Sequence, residues 1–206
     1  LERERIITDL HDDVGGGLSS IRMMSDLMTQ ENTDDKSRSV VFAQKISATA
    51  KDIAQRMHTI IWSLNAENDS VENFAEYVRQ YGVSYFEDAN IKFDCEISSE
   101  IPANALLSGI QRKNLFLVSK EAFHNILKHA GASRVQVSIK IDNGKLCLRI
   151  HDNGKGIQNS NLFGNGLKNM QKRIDEIKGT IEFSSDNGTL VWVCAPLLIQ
   201  KISSQP

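Results

Sequence analysis

Three short stretches of the chain combine residue types that can hold or move a phosphoryl group. The first is Asp9-Leu10-His11-Asp12-Asp13-Val14, followed by Gly15-Gly16-Gly17. A carboxylate that keeps one imidazole nitrogen protonated leaves the other free to act as a nucleophile. The second runs from Glu121 to Ala130, where Glu121, Asn125 and Lys128 are spaced by four and three residues and so share one helix face. An uncharged Asn beside a Glu is a hard-oxygen pair suited to Mg²⁺ carrying phosphates. The third is Asp152-Asn153-Gly154-Lys155-Gly156 after a strand pattern, then Gly164-Asn165-Gly166 before a helical one. Glycines let backbone N–H groups approach an anion, a helix N-terminus favours phosphate, and a strand-end aspartate can accept from an exocyclic amine such as that of adenine. Each stretch alone also has a plainer explanation: a surface histidine among acids, a solvated helix face, a turn with a helix start. The last stretch is no dinucleotide fingerprint, because Asn169 stands where the third glycine belongs, and no Gly-Lys-Ser/Thr follows it.

Elements must position these groups. Ile7, Leu10, Val14, Leu18, Ile21, Met24 and Met28 recur at threes and fours, which predicts one helix face. His11 falls next to that seam, at its edge. After the polar break 31–36 the period resumes with Ile46, Ala50, Ile53, Met57, Ile60 and Leu64, predicting a helical hairpin. The seam runs through the glycines to Leu18 and Ile21, so the first helix is expected to continue, weakened, across them. A lone hairpin cannot enclose two such seams, and a homodimeric four-helix bundle would. Polar residues 65–70 then break the pattern. Beyond them a helix is expected over 71–89, a strand over 91–97, a helix over 110–130 and strands over 135–141 and 146–150 around Asn143-Gly144. A helix over 167–178 follows, then a second hairpin around Asn187-Gly188. The expected fold is thus an all-α hairpin followed by an α+β two-layer sandwich. The expected domains are 1–66 and 71–197, with a linker at 67–70 and a tail at 198–206.

Composition narrows the function classes. The chain has 206 residues, 40% hydrophobic and 24% charged, with a net charge of −2. That balance is globular and offers no electrostatic footprint for nucleic acid. No apolar run approaches the roughly 18 to 20 residues of a membrane span, and the opening Leu1-Glu2-Arg3-Glu4-Arg5 is unlike a signal peptide. Cys95, Cys147 and Cys194 are odd in number and lack C-x-x-C spacing, so they are expected to be buried free thiols.

In order along the chain, the helix with Glu121 and Asn125, Asp152-x-Gly-x-Gly, Gly164-x-Gly and Gly188-Thr189 resemble the GHKL (Bergerat-type) ATP-binding fold of gyrase, MutL and histidine kinases. With Asp9-Leu10-His11-Asp12 ahead of them on a helical hairpin, the chain resembles a two-component sensor histidine kinase core. It is most similar to the subfamily whose acceptor reads L-H-D-x-x-G. The resemblance spans about residues 3 to 197.

It implies that His11 accepts the γ-phosphoryl group of ATP, that Asp12 orients or deprotonates it, and that Glu121 assists. It further implies that Asn125 ligates Mg²⁺, with Lys128 and His129 near the phosphates. Asp152 would bind the adenine amine, supported by Thr189, with Gly154 and Gly156 shaping the base pocket. Gly164 and Gly166 would border the phosphates, below a short lid at 158–163. Partners implied are a second copy of the chain and the receiver domain of a response regulator, in the cytoplasmic portion of a membrane-anchored sensor. In much of the subfamily a glutamine for regulator dephosphorylation stands where this chain has Gly16, so the resemblance does not carry that activity over. Two other readings stay open: a non-enzymatic dimeric module switched by nucleotide, and an ATPase of the same fold without histidine phosphorylation.

Overall fold

The computed structural model describes residues 2–30, 36–157, 165–185 and 187–198, with residues 2–13, 30, 36–37, 55–56 and 66 described as backbone only. The chain divides into two compact units, Leu1–Asn65 and Ala66–Pro206.

The first unit is a helical hairpin of α1 (Glu2–Gln30) and α2 (Lys36–Leu64). Helix α1 runs unbroken through Gly15-Gly16-Gly17, as the continuing seam predicts. The helices pack antiparallel, with Gly17 beside Thr49 and Ile53. Much of the apolar seam stays uncovered: Leu18, Met23, Val40, Val41, Met57 and Ile61 are all exposed. The expected polar loop lies largely outside the described residues.

The second unit opens with a short 3₁₀ turn (Ala66–Asn68), followed by α3 (Val71–Phe86) and β1 (Lys92–Ile97). Next come α4 (Gly109–Asn125), a π-helical turn (Ile126–Ala130), β2 (Arg134–Asp142) and β3 (Lys145–Asp152). Helix α5 (Asn165–Glu176), β4 (Thr180–Ser184) and β5 (Leu190–Pro196) close it. The five strands are ordered β1-β2-β3-β5-β4. Asn143 and Gly144 both have positive φ, 49° and 72°, as the right-handed strand twist requires of a two-residue hairpin turn. The connection from β1 through α4 to β2 makes that pair parallel, and every other pair is antiparallel.

Alternate residues of the central strands are buried: Val135, Val137 and Ile139 on β2, Leu146, Leu148 and Ile150 on β3, Val191, Val193 and Ala195 on β5. This period of two turns one sheet face towards the helices and leaves the other to solvent, which is the two-layer sandwich expected. The helices supply Phe74, Val78, Leu115, Phe123, Met170 and Ile174 to the same core. Ser70 and Ser108 cap α3 and α4, the latter through a full capping box with Gln111.

One expectation is corrected here. Cys147 and Cys194 are opposite each other in the β3–β5 register, with Cα atoms 4.2 Å apart, and are joined as a disulfide. Only Cys95 is free, and burial pushes its thiol up to about 11.

Candidate active site

Helix α4, the π-turn, the ends of β3 and β5 and the start of α5 enclose a cavity of about 270 Å³. Each wall has a local cause. The amphipathic period of α4 puts Ala122 inward while Glu121 and Asn125 line the cavity, both half-buried. The π-turn follows directly and brings Lys128 and His129 to the mouth, both exposed. An extra residue in a helical turn of this kind is frequent at functional sites. Gly131, left-handed with φ 62°, then ends the helix.

Asp152 is the last residue of β3 and is 1% exposed. Its Oδ1 accepts from the Gly154 N–H at 2.7 Å, while Oδ2 is buried with no hydrogen-bond partner in the protein. Buried carboxylate oxygens are ordinarily satisfied, because leaving one without a donor costs its desolvation. An orphaned acceptor lining a cavity therefore fits a ligand that brings an N–H donor. The backbone N–H of Asp152 donates to the Thr189 carbonyl at 3.0 Å, placing Thr189 on the cavity wall beside it. Gly188 makes this crossing possible: a Cβ there would lie 1.7 Å from the Asp152 carbonyl oxygen. Asn153 looks away from the cavity, its Oδ1 accepting from the Ser133 and Arg134 N–H groups at 2.9 Å each.

Gly166 lies in the first turn of α5. A Cβ there would sit 2.4 Å from Glu121 Oε1, so the missing side chain lets the helix N-terminus close on the α4 carboxylate. That puts backbone N–H groups and the positive end of α5 against Asn125 and Glu121, an arrangement that favours phosphate. Asn125 and Glu121 are hard oxygen donors on one helix face, and Mg²⁺ is usually held by one or two such groups together with substrate phosphates. The residues present fit both a nucleotide and its metal. The floor is apolar, from Ile126, Ile150, Met170 and Val191, as a flat base requires.

Of the residues singled out in the sequence, Glu121, Asn125, Lys128, His129, Asp152, Gly156, Gly166 and Thr189 share this cavity. Gly154 touches it through Asp152 and against Ala130. Gly164 and the stretch 158–163 lie outside the described residues. His11 and Asp12 are in α1, in the other unit, where only the backbone is described.

Two lining groups carried no sequence signal. His124, exposed at the rim, has its Nδ1 3.4 Å from the Tyr85 hydroxyl of α3. Ser185, in the β4–β5 connection, accepts the Ile157 N–H through its hydroxyl at 2.9 Å and backs onto Gly156. Both depend on contacts between elements distant in the chain. Ser185→Ala removes an exposed hydrogen bond of roughly 0.5–1.5 kcal/mol. It should weaken nucleotide binding about three- to tenfold, measured by titrating a fluorescent nucleotide; unchanged affinity would show that water replaces the hydroxyl.

Comparison with known proteins bears on both units. Residues 110–199 match the family described as histidine kinase-, DNA gyrase B-, and HSP90-like ATPase, and residues 2–69 match the family described as histidine kinase. The chain is 27% identical over 199 residues to the sensor histidine kinase YvfT of Bacillus subtilis, covering 96% of this chain and 51% of that protein. It is 28% identical over 200 residues to LiaS of the same organism, covering 95% and 54%. It thus spans about half the length of the curated relatives it matches. Among solved structures, the Acinetobacter baumannii histidine kinase AdeS aligns with a TM-score of 0.58 at 16% identity, covering 96% of this chain and 98% of that one. The histidine kinase domain from Erythrobacter litoralis aligns with a TM-score of 0.58 at 15% identity, covering 89% and 94%; these likenesses show the fold alone. Matched by a histidine kinase family over its hairpin and by an ATP-binding family over its sandwich, in that order, the chain belongs to the two-component sensor histidine kinases and constitutes their catalytic core.

Proposed function

We propose that this chain transfers the γ-phosphoryl group of ATP to His11 and passes it to an aspartate of a response regulator receiver domain. The observation that carries the nucleotide half is the buried Asp152 Oδ2, an acceptor with no protein donor in a cavity with an apolar floor. The exocyclic amine of adenine supplies the donor it lacks. Thr189 holds the strand end carrying Asp152, and Gly154 and Gly156 shape the loop beside the base. Lys128, His129 and the N–H groups at Gly164 and Gly166 surround the phosphates. Asn125 holds Mg²⁺, whose charge offsets that building on the phosphate oxygens when it is bound.

In the transfer, an imidazole nitrogen of His11 attacks the γ-phosphorus. The N–P bond forms, the bond to the β–γ bridging oxygen breaks, and ADP leaves. Asp12 takes or orients the proton on the ring, and Glu121 supports the site from α4. Phosphoryl transfer asks mainly for alignment and charge neutralisation, and these groups supply both. On this reading residues 1–66 are the dimerisation and acceptor domain, 67–70 the linker, 71–197 the ATP-binding domain and 198–206 a tail.

The uncovered apolar residues of the hairpin support a homodimer through a four-helix bundle, since Met23 and Ile61 are 65% and 61% exposed. Light scattering at micromolar concentration should give twice the 23.0 kDa chain mass; a monomeric mass would overturn the bundle. Among the described residues no helix is long and apolar enough to cross a membrane.

Incubation with γ-labelled ATP and Mg²⁺ tests the reaction. Acid-labile, alkali-stable label on the protein is the expected result. Hydrolysis without label would replace the proposal by an ATPase, and binding with neither would leave a nucleotide-operated switch.

A further inference from the structure

Arg112 is the largest fully buried side chain in the protein, 1% exposed, and it is a charged one. Its Nη1 donates to Asp69 Oδ1 and, at 2.9 Å, to the Leu107 carbonyl. Burying a guanidinium is costly unless a counter-charge and acceptors meet it, so this position is demanding to maintain. Nothing in the nucleotide cavity uses it.

Its location suggests what it serves. Asp69 is among the first residues of the nucleotide unit, where the chain arrives from the helical hairpin. The same few residues are tied down repeatedly. The Leu107 N–H donates to the Asp69 carbonyl at 2.8 Å, and the Val71 N–H to Ala105 at 2.9 Å. Asn73 Nδ2 reaches back to the Glu67 carbonyl at 2.9 Å. Arg112 sits in the first turn of α4, and the same helix carries Glu121 and Asn125 in its last turns. A 17-residue helix is a rod of roughly 25 Å. At mid-length Asn114 bonds it to the end of α5, whose other end bears Gly166.

We infer that Asp69 and Arg112 are a positioning pair for phosphoryl transfer: they clamp the entering chain to the helix that holds the phosphate-side groups, so that the acceptor hairpin is attached to the nucleotide site rigidly. The inference rests on the proposed kinase reaction. Attachment through a stiff, short connection sets the effective concentration of one group at another, and a loosened connection lowers it without altering either partner. Neither residue is catalytic; both act through α4.

Asp69→Asn keeps an acceptor oxygen of the same shape and removes the charge that binds Arg112. At saturating Mg-ATP its labelling rate should fall about tenfold, with nucleotide affinity within about twofold of the parent. Asp69→Glu should restore most of the rate. Hydrogen exchange at the Val71 and Leu107 amides should be about tenfold faster in Asp69→Asn. A parental labelling rate in Asp69→Asn overturns the inference. So does a parallel loss of rate and nucleotide affinity, which would reduce the pair to a prop for the fold. Should the parent protein bind nucleotide and take no label, the kinase reading fails on its own. The exchange measurement then still decides the clamp, since unchanged protection overturns it.

Discussion

His11→Gln should take no label from γ-labelled ATP, a loss on the order of 10³-fold or more, while binding nucleotide as tightly as the parent. Glutamine is close to histidine in size and helix propensity, and its amide can hydrogen bond. Its nitrogen lone pair, however, is delocalised into the carbonyl and cannot attack phosphorus. The nucleotide cavity lies wholly in residues 121–191, in the other unit, so affinity has no reason to change. Retained label would move the acceptor elsewhere. A parallel loss of nucleotide affinity would mean that the substitution damages more than the acceptor.

The second large effect is expected at Asp152. In Asp152→Asn the group occupying the Oδ2 position becomes either an N–H donor facing the donor of the base, or a weaker neutral acceptor. Hydrogen bonds to charged groups contribute about 1.5–3 kcal/mol, and a mismatched buried donor adds its own desolvation. The dissociation constant for ATP should therefore rise about 100-fold, equivalent to roughly 2.8 kcal/mol. The nucleotide-free protein should respond differently. Its buried Oδ2 has no protein donor and already bears a desolvation cost, so neutralising the side chain should leave the melting temperature equal or higher. Calorimetric titration and thermal melts separate the two. Unchanged affinity would remove Asp152 from base recognition, and a sharp drop in melting temperature would make it a structural residue.

Both expectations begin from residues that stand out in the sequence, for a physical reason. His11 lies at a seam edge that a 3.6-residue period exposes, and Asp152 sits between an alternating strand and a glycine-rich turn. Helix and strand periods, the Asn143-Gly144 turn and the placement of Glu121 and Asn125 on one helix face are local properties. Each follows from residues within about ten positions of one another.

The cysteines mark the other limit. Cys147 and Cys194 are 47 residues apart. Their pairing follows from β5 inserting between β3 and β4, and no count or spacing of cysteines reports a strand order. The parallel pairing of β1 with β2 belongs to the same class, as does the contact of Ser185 with Ile157.

What the sequence by itself determined about this protein is the chemistry on offer and the local element carrying each group: an imidazole on a helix, a polar helix face, an aspartate before glycines. Tertiary structure alone decided that eight of the predicted residues share one cavity, that Asp152 keeps an oxygen buried without a donor, and that Arg112 is buried against Asp69. Burial and desolvation arise from atoms brought together across the fold. They turn a common side chain into an orphaned acceptor or a clamped charge, and neither exists until the chain has packed.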